Sequence, residues 1–351
     1  MTGAPGCGGF WFLRRAVEKS RRPCKKDCGP NGPLPIGHLA GPLRHRRRLQ
    51  SDHDQVLWLA DSQALTDNAH DPGRVRRNVL EVALDYLAVR IDPKPTTICL
   101  QSHLPALAEL SMLYLNFVTV ARLGRNPTIR EDIRARGFGR DIPAGFLCYP
   151  AAQAADITAF KATIVPVGED QAPLIEQTNE IVRRINATAG ADILPEARAV
   201  IPESGRLPGI DGKAKMSKSA GNAIALSASP DEIRAAVRAM YTDATHLRAD
   251  DPGHVDGNVV SPYLDAFDDD LEAVEELKAH YRRGGLADRA IKARLDAVLQ
   301  TLIAPIRQRR TDIAQHPDHV PDVIRRGTAR ARDRTEATKR QVVEALGLFM
   351  L

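Results

Sequence analysis

Between residues 213 and 219 the chain reads Lys-Ala-Lys-Met-Ser-Lys-Ser, three ammonium groups and two hydroxyls within seven residues. Cations packed this closely repel one another until an anion arrives. Such a loop suits closure on a triphosphate, where it would meet the charge that develops as pyrophosphate leaves. Lysine is scarce in the chain, 11 residues against 38 arginines, so three in one glycine-flanked loop stand out from an ordinary solvated charge run. A second candidate is the stretch from Gly29 to Gly41, GPNGPLPIGHLAG, which precedes a basic amphipathic segment at 42–50. Glycines let a backbone approach a ligand closely, and a helix start offers unpaired N–H groups to phosphate. Taken alone, this stretch reads equally as a proline-stiffened loop.

The elements that must position these groups alternate. The apolar opening of VLWLADSQAL (56–65), TTICLQS (96–102) and ATIVPVG (162–168) read as buried strands, while 74–89, 105–121 and 172–187 read as helices. Strands alternating with helices at this spacing imply parallel strands joined by crossovers, hence an α/β doubly wound sheet. Gly168 and Asp170 fall at the carboxyl end of the last strand, the ligand edge of such a sheet. The segment 204–222 reads as a long loop without periodicity. After it, Ser229-Pro-Asp-Glu232 is a helix start, with a capping Ser, Pro at the first helical position and acids at the positive end of the dipole. From there the reading is all-helical, with spans at 230–241, 271–283, 287–310, 318–326 and 330–348. The expected domains are therefore a basic, disordered lead at 1–28, a catalytic α/β domain at 29–203, the lysine loop at 204–228 and a helical domain at 229–351.

Composition excludes several classes. The 351 residues carry 49 Lys+Arg against 44 Asp+Glu, a net charge of +5 that permits a polyanionic partner without demanding one. No run approaches ~18 consecutive apolar residues, which argues against a membrane-spanning helix. Five scattered cysteines (Cys7, Cys24, Cys28, Cys99, Cys148) argue against a disulfide scaffold and for a reducing cytoplasm. Cys24 and Cys28 have no second Cys/His pair near them, so no metal ligands are assigned. The Arg-rich lead admits an organellar presequence or a misplaced start codon as readings. RPCKKDC (22–28) fits no strand template.

Lys215-Met-Ser-Lys-Ser219 resembles the KMSKS motif of class I aminoacyl-tRNA synthetases, and Pro35-Ile-Gly-His38 resembles their HIGH motif, with Pro at the first position. The two lie 180 positions apart, from Pro35 to Lys215. Members with so short an insert activate tryptophan or tyrosine. Tyr149-Pro-Ala-Ala-Gln-Ala-Ala-Asp156-Ile, Val165-Pro-Val-Gly-Glu-Asp-Gln171 and Arg183-Arg-Ile-Asn186 are similar to segments of the bacterial tryptophan-specific branch, and the likeness runs from about residue 29 to 351. It implies ATP-dependent activation of tryptophan and its transfer to tRNA(Trp), with Mg²⁺ assisting, in a cytoplasmic homodimer. Lys215, Lys218 and His38 would be catalytic. The ATP site would comprise Gly29, Pro30, Asn31, Gly37, His38, Gly168, Glu169, Asp170, Leu207, Lys215, Met216, Ser217, Lys218 and Ser219. Tryptophan would be held by Asp156, Tyr149 and Gln171.

The residues themselves agree with that implication. Asp156 is expected early on a helix, where a carboxylate is favoured, either as a helix cap or as a buried acceptor. An indole N–H is a donor that phenylalanine lacks, and a site built to pair it rejects the analogue by orders of magnitude. A tyrosine-specific ligase of the same fold and a catalytically impaired paralogue that acts as a binding partner stay open. Basic clusters at 44–48, at Arg307, Arg309 and Arg310, and at Arg325, Arg326, Arg330, Arg332, Arg334, Lys339 and Arg340 are read as contacts to tRNA phosphates.

Overall fold

The computed structural model describes residues 24–27, 34–201, 207–212, 216 and 221–349. In chain order the elements are β1 (Cys24–Asp27), α1 (Arg44–Leu49), β2 (Gln55–Leu59), α2 (Asp61–Asn68), α3 (Pro72–Ala88), β3 (Thr96–Leu100), α4 (Pro105–Tyr114), α5 (Val120–Arg125), α6 (Pro127–Arg136), α7 (Ala144–Thr158), β4 (Ile164–Pro166), α8 (Ala172–Ala189), β5 (Arg198–Val200), α9 (Pro230–Ala239), α10 (Val260–Phe267), α11 (Leu271–Arg283), α12 (Asp288–Ala314) and α13 (His319–Ala345). The chain divides into two compact units. The first holds residues 45–202 and 316–351 together with the chain before residue 33, and the second holds 33–44 and 203–315.

The first unit is the expected parallel α/β layer structure. β1, β2 and β3 pair in parallel in that order, and β4 pairs in parallel with β5. Every residue of β2 is buried, as in a strand covered on both faces. Trp58, Tyr114, Phe146 and Phe160 centre its core. Local chemistry sets the helix ends. Asp71 accepts the N–H of Arg74 (3.1 Å) ahead of Pro72 at the start of α3, and α8 closes on Gly190 in the left-handed conformation (φ 66°).

Three expectations change in this unit. Residues 24–27 are not part of a disordered lead but a strand, with Cys24 opposite Gln55 and Asp27 opposite Trp58. Backbone pairing with a fully buried neighbour supplies what side-chain propensity does not. The span 105–121 is broken, because α4 ends at Tyr114 in a 3₁₀ turn, Leu115–Phe117, before Thr119 caps α5. The spans 318–326 and 330–348 are one helix, α13, and it belongs to the sheet unit rather than to a helical domain. Its Ala331 and Val342 join the core around Trp58, and Gly327 lies against β3. The rest of the lead, residues 1–23 and 28, lies outside the described residues.

The second unit is helical and is built around α9, α10 and α12. The capping box at Ser229 is present in full: Glu232 N–H donates to Ser229 Oγ (3.2 Å), and Ser229 N–H donates to Glu232 Oε2 (2.7 Å). Ile233 and Val237 of α9, Tyr263 and Leu264 of α10, and Leu295 and Leu299 of α12 are buried.

Candidate functional site

In the sheet unit Gly168 to Gln171 follow the carboxyl end of β4, and Asp156 meets Gln101 just beyond the carboxyl end of β3. Tyr149, Gln153 and Asp156 stand at i, i+4 and i+7 on α7, hence on one face, and all three are buried. Asp156 lies in the last turn of α7, not early on a helix. The helix dipole therefore works against its charge rather than for it. Its support comes from another element. Gln101, in the turn that follows β3, donates its Nε2 to both Asp156 carboxylate oxygens, at 3.2 and 3.0 Å. A helix-cap role for Asp156 is excluded by this placement.

Gln153 is 4% exposed, and among the described residues neither its amide nitrogen nor its amide oxygen has a hydrogen-bond partner. A buried amide left in that state costs free energy that a polar ligand would recover. The motif reading does not single out Gln153, although its spacing four after Tyr149 and three before Asp156 marks it on the same face. Gln101 carries no such local mark beyond its place at a strand end.

Tyr149 is held from behind. Its ring packs edge-on against Phe146 (5.6 Å between centroids, 70°), and Arg136 of α6 lies over the Phe146 ring at 4.9 Å while pairing with Asp67. Beyond β4, Gly168 opens the turn that carries Glu169, Asp170 and Gln171, closed by the Gln171 N–H on the Gly168 carbonyl (2.9 Å). Gly168 and Glu169 are exposed, Asp170 is half-buried and Gln171 is buried, its Nε2 donating to Asp170 Oδ2 (2.9 Å). Thr128 Oγ1 of α6 donates to the Asp170 carbonyl. Burial pushes the nearby Asp132 carboxyl up; Arg136 opposes this, and Asp67, Asp170 and Glu131 add to it.

In the helical unit two distant stretches form one small scaffold. The Ile36 N–H donates to the Ile224 carbonyl and the Leu226 N–H to the Leu34 carbonyl, both at 2.8 Å, on either side of a Pro35–Ala225 bridge. The bridge draws its bonds from the neighbours of Pro35, so the missing proline N–H costs it nothing. His38, half-buried, follows as the chain enters a π-helical turn, Leu39–Leu43, that runs into α1. A side chain at Gly37 would come within 3.1 Å of the Met216 sulfur, and the Met216 N–H points to the carbonyl of buried Leu207 (3.4 Å). Gly37, His38, Leu207 and Met216 are thus neighbours within this unit. Gly29, Pro30, Asn31, Lys215, Ser217, Lys218 and Ser219 lie outside the described residues.

The basic clusters are less uniform than the sequence suggests. Arg46 is fully buried over the Tyr86 ring (5.7 Å). Arg330 donates to the Pro93 and Thr96 carbonyls and Arg332 to the His103 carbonyl. Arg334 pairs with Asp54 (2.7 Å), and Lys339 pairs with Glu109 and Glu336. These four anchor α13 to the sheet unit. Arg47, Arg48, Arg325, Arg326 and Arg340 are exposed. Among the described residues no helix is long and apolar enough to cross a membrane, and no three His, Cys, Asp or Glu side chains converge as a metal site.

A parallel α/β unit with a ligand-ready strand edge, a helical unit, and the KMSKS and HIGH-like motifs define a class I aminoacyl-tRNA synthetase. The family model for tRNA synthetases of class I (W and Y) matches residues 26–304, and the chain belongs to that family. A tryptophan–tRNA ligase of Clostridium longisporum is 52% identical over 323 residues, covering 91% of this chain and 95% of its own. One from Lactococcus lactis subsp. lactis is 49% identical over 326 residues, covering 91% and 96%. Among solved structures, the tryptophanyl-tRNA synthetase of Campylobacter jejuni complexed with ADP and tryptophan superposes with a TM-score of 0.79 at 26% identity, covering 92% of this chain and 98% of the other.

Proposed function

We propose that this enzyme activates L-tryptophan with ATP and transfers it to tRNA(Trp). The observation that carries the tryptophan assignment is the buried polar face of α7, shared by Tyr149, Gln153 and Asp156, where the Gln153 amide has no partner among the described residues. Relatives at 52% and 49% identity that are named tryptophan–tRNA ligases support it.

In the first step the tryptophan carboxylate attacks the α-phosphorus of ATP. A new P–O bond forms, the bond to the β-phosphate oxygen breaks, and pyrophosphate leaves. The protein contributes positioning and electrostatics rather than covalent chemistry. Asp156 accepts the indole N–H, while Tyr149 and Gln171 receive the substrate ammonium group. Gly168, Glu169 and Asp170 bracket the ribose. Gly29, Pro30, Asn31, Gly37, His38, Leu207, Met216, Ser217 and Ser219 are the further candidates for contact with ATP. Lys215 and Lys218 stabilise the charge that builds on the departing pyrophosphate. Mg²⁺, when bound, would neutralise phosphate charge, and it prefers substrate phosphates and water to an all-protein cage. In the second step the terminal ribose hydroxyl of tRNA attacks the aminoacyl carbonyl and AMP leaves.

The exposed arginines Arg47, Arg48, Arg325, Arg326 and Arg340 are the candidates for tRNA phosphate contacts. A homodimer in the cytoplasm completes the proposal. Amino-acid-dependent pyrophosphate exchange tests the assignment. Exchange should require tryptophan and fail with phenylalanine and tyrosine. Exchange driven by tyrosine would move the enzyme to the sister specificity, and none with any amino acid would make it a non-catalytic paralogue.

A further inference from the structure

Asp156 is 3% exposed and lies at the negative end of α7, so hydration and the helix dipole both fail to support its charge. Both of its carboxylate oxygens instead accept from the neutral amide of Gln101, and that amide is itself held. Gln101 Oε1 accepts the backbone N–H of Gln63 (3.0 Å), one of the first-turn donors of α2 that no intrahelical carbonyl can satisfy. The neighbouring Ser102 N–H returns a bond to Asp61 Oδ1 (2.9 Å), so the turn after β3 and the start of α2 are clasped in both directions. An amide flip would set a carbonyl against the Asp156 carboxylate and an NH₂ group against the Gln63 N–H, which loses both bonds. The Gln101 amide therefore has one orientation.

We propose that Gln101 is a positioning residue for tryptophan recognition, whose clamped amide fixes the Asp156 carboxylate in the orientation that accepts the indole N–H. The inference rests on the reading of Asp156 as the indole acceptor. A neutral amide suits the task better than an arginine. It orients the carboxylate, yet it adds no positive charge to compete with the substrate's N–H. The chain from the Gln63 backbone through Gln101 to Asp156 thereby ties substrate selection to the rigid junction of β3 and α2.

The test uses the full chain with Gln101→Glu, Gln101→Met and Asp156→Asn, and measures KM for tryptophan and for ATP by pyrophosphate exchange from about pH 5 to about pH 8.5. Gln101→Met removes both donors at similar volume. It should raise the tryptophan KM by at least ~10-fold, the scale of a charge-assisted hydrogen bond, with the ATP KM little changed. Gln101→Glu places two carboxylates together. Its tryptophan KM should be raised at neutral pH and recover toward the parent's as pH falls. The introduced carboxyl group, once protonated, again donates to Asp156 while its other oxygen accepts from Gln63. A merely structural role would not produce that acid recovery. If Gln101→Met fails to fold, the pH profile of Gln101→Glu decides the matter. A flat profile with a parental tryptophan KM, beside an impaired Asp156→Asn, overturns the role of Gln101. An Asp156→Asn enzyme that selects tryptophan as the parent does overturns the underlying reading instead.

Discussion

Gly327 of α13 lies directly against the carbonyl oxygen of Ile98 in β3, with no room for a methyl group between them. The helix crosses the strand at this point, and the hydroxyl oxygen of the neighbouring Thr328 accepts the Leu100 N–H at 3.0 Å. Gly327→Ala should lower thermal stability. Helix propensity favours Ala by up to ~1 kcal/mol, but overlap with backbone that cannot rotate away costs ~1–3 kcal/mol and should win. Gly124→Ala in α5, where an added methyl meets nothing within 4 Å, should be neutral or stabilising in the same melting experiment. Equal behaviour of the two variants would remove the close approach at Ile98 as the reason for Gly327.

Arg334 is half-buried between Asp54 and the Phe160 ring, 5.8 Å from its centroid. Arg334→Ala should destabilise the enzyme by ~1–2 kcal/mol through lost packing as well as lost charge. In urea denaturation the part of the loss that comes from packing on the Phe160 ring should persist at high salt, whereas the partly exposed ion pair is screened. A loss that vanishes with salt would mark an ordinary surface pair. Combined changes at Arg330, Arg332 and Arg334 should likewise act through stability before any effect on tRNA.

Asp156→Asn should weaken tryptophan use by at least ~10-fold and leave ATP binding nearly intact, from loss of a charge-assisted hydrogen bond of ~1.5–3 kcal/mol. Separate KM measurements for the two substrates check this. Equal losses for both would point to a general disturbance of the strand edge.

Lys215→Ala and Lys218→Ala should lower the rate of adenylate formation far more than they weaken tryptophan binding. Interactions made mainly in the transition state reduce turnover and specificity constant together. Single-turnover kinetics separate the two quantities. A change confined to the KM for ATP would instead describe ground-state anchoring.

Asp268, buried beyond α10, accepts Arg294 Nε (2.7 Å) and Nη2 (3.0 Å). The Arg294 hydrogen bonds hold its carboxyl below the usual range; burial opposes them, and the Asp270 N–H adds to the depression. A depressed folded-state value means stability that is present above the unfolded value, about 3.9, and lost as pH falls through the folded one. Asp268→Asn should therefore cost ~1–3 kcal/mol at pH 7, with the gap to the parent closing as pH falls through the depressed folded-state value. A gap that stays constant on acidification would show that the pair contributes through packing alone.

The chain's own order of residues determined the chemistry and the local boundaries. Three lysines in a glycine-flanked loop, the buried strands and the Ser229 capping box are all short-range patterns, and patterns of period two or 3.6 are legible wherever neighbours in sequence share a face. Tertiary structure decided what depends on partners far along the chain. Cys24–Asp27 becomes a strand because β2 offers it backbone bonds, not because its side chains prefer one. The apolar pattern of α13 lapses at Gly327 and Thr328, which reads as a break, yet small residues there are what lets the helix lie on β3. Asp156 draws its donors from Gln101, 55 positions away, and several arginines that look like a nucleic-acid surface are spent on docking a helix. Charge and propensity are properties of a residue; burial and partnership are properties of the packed chain, and those set the roles of Asp156, Gln101 and Arg334.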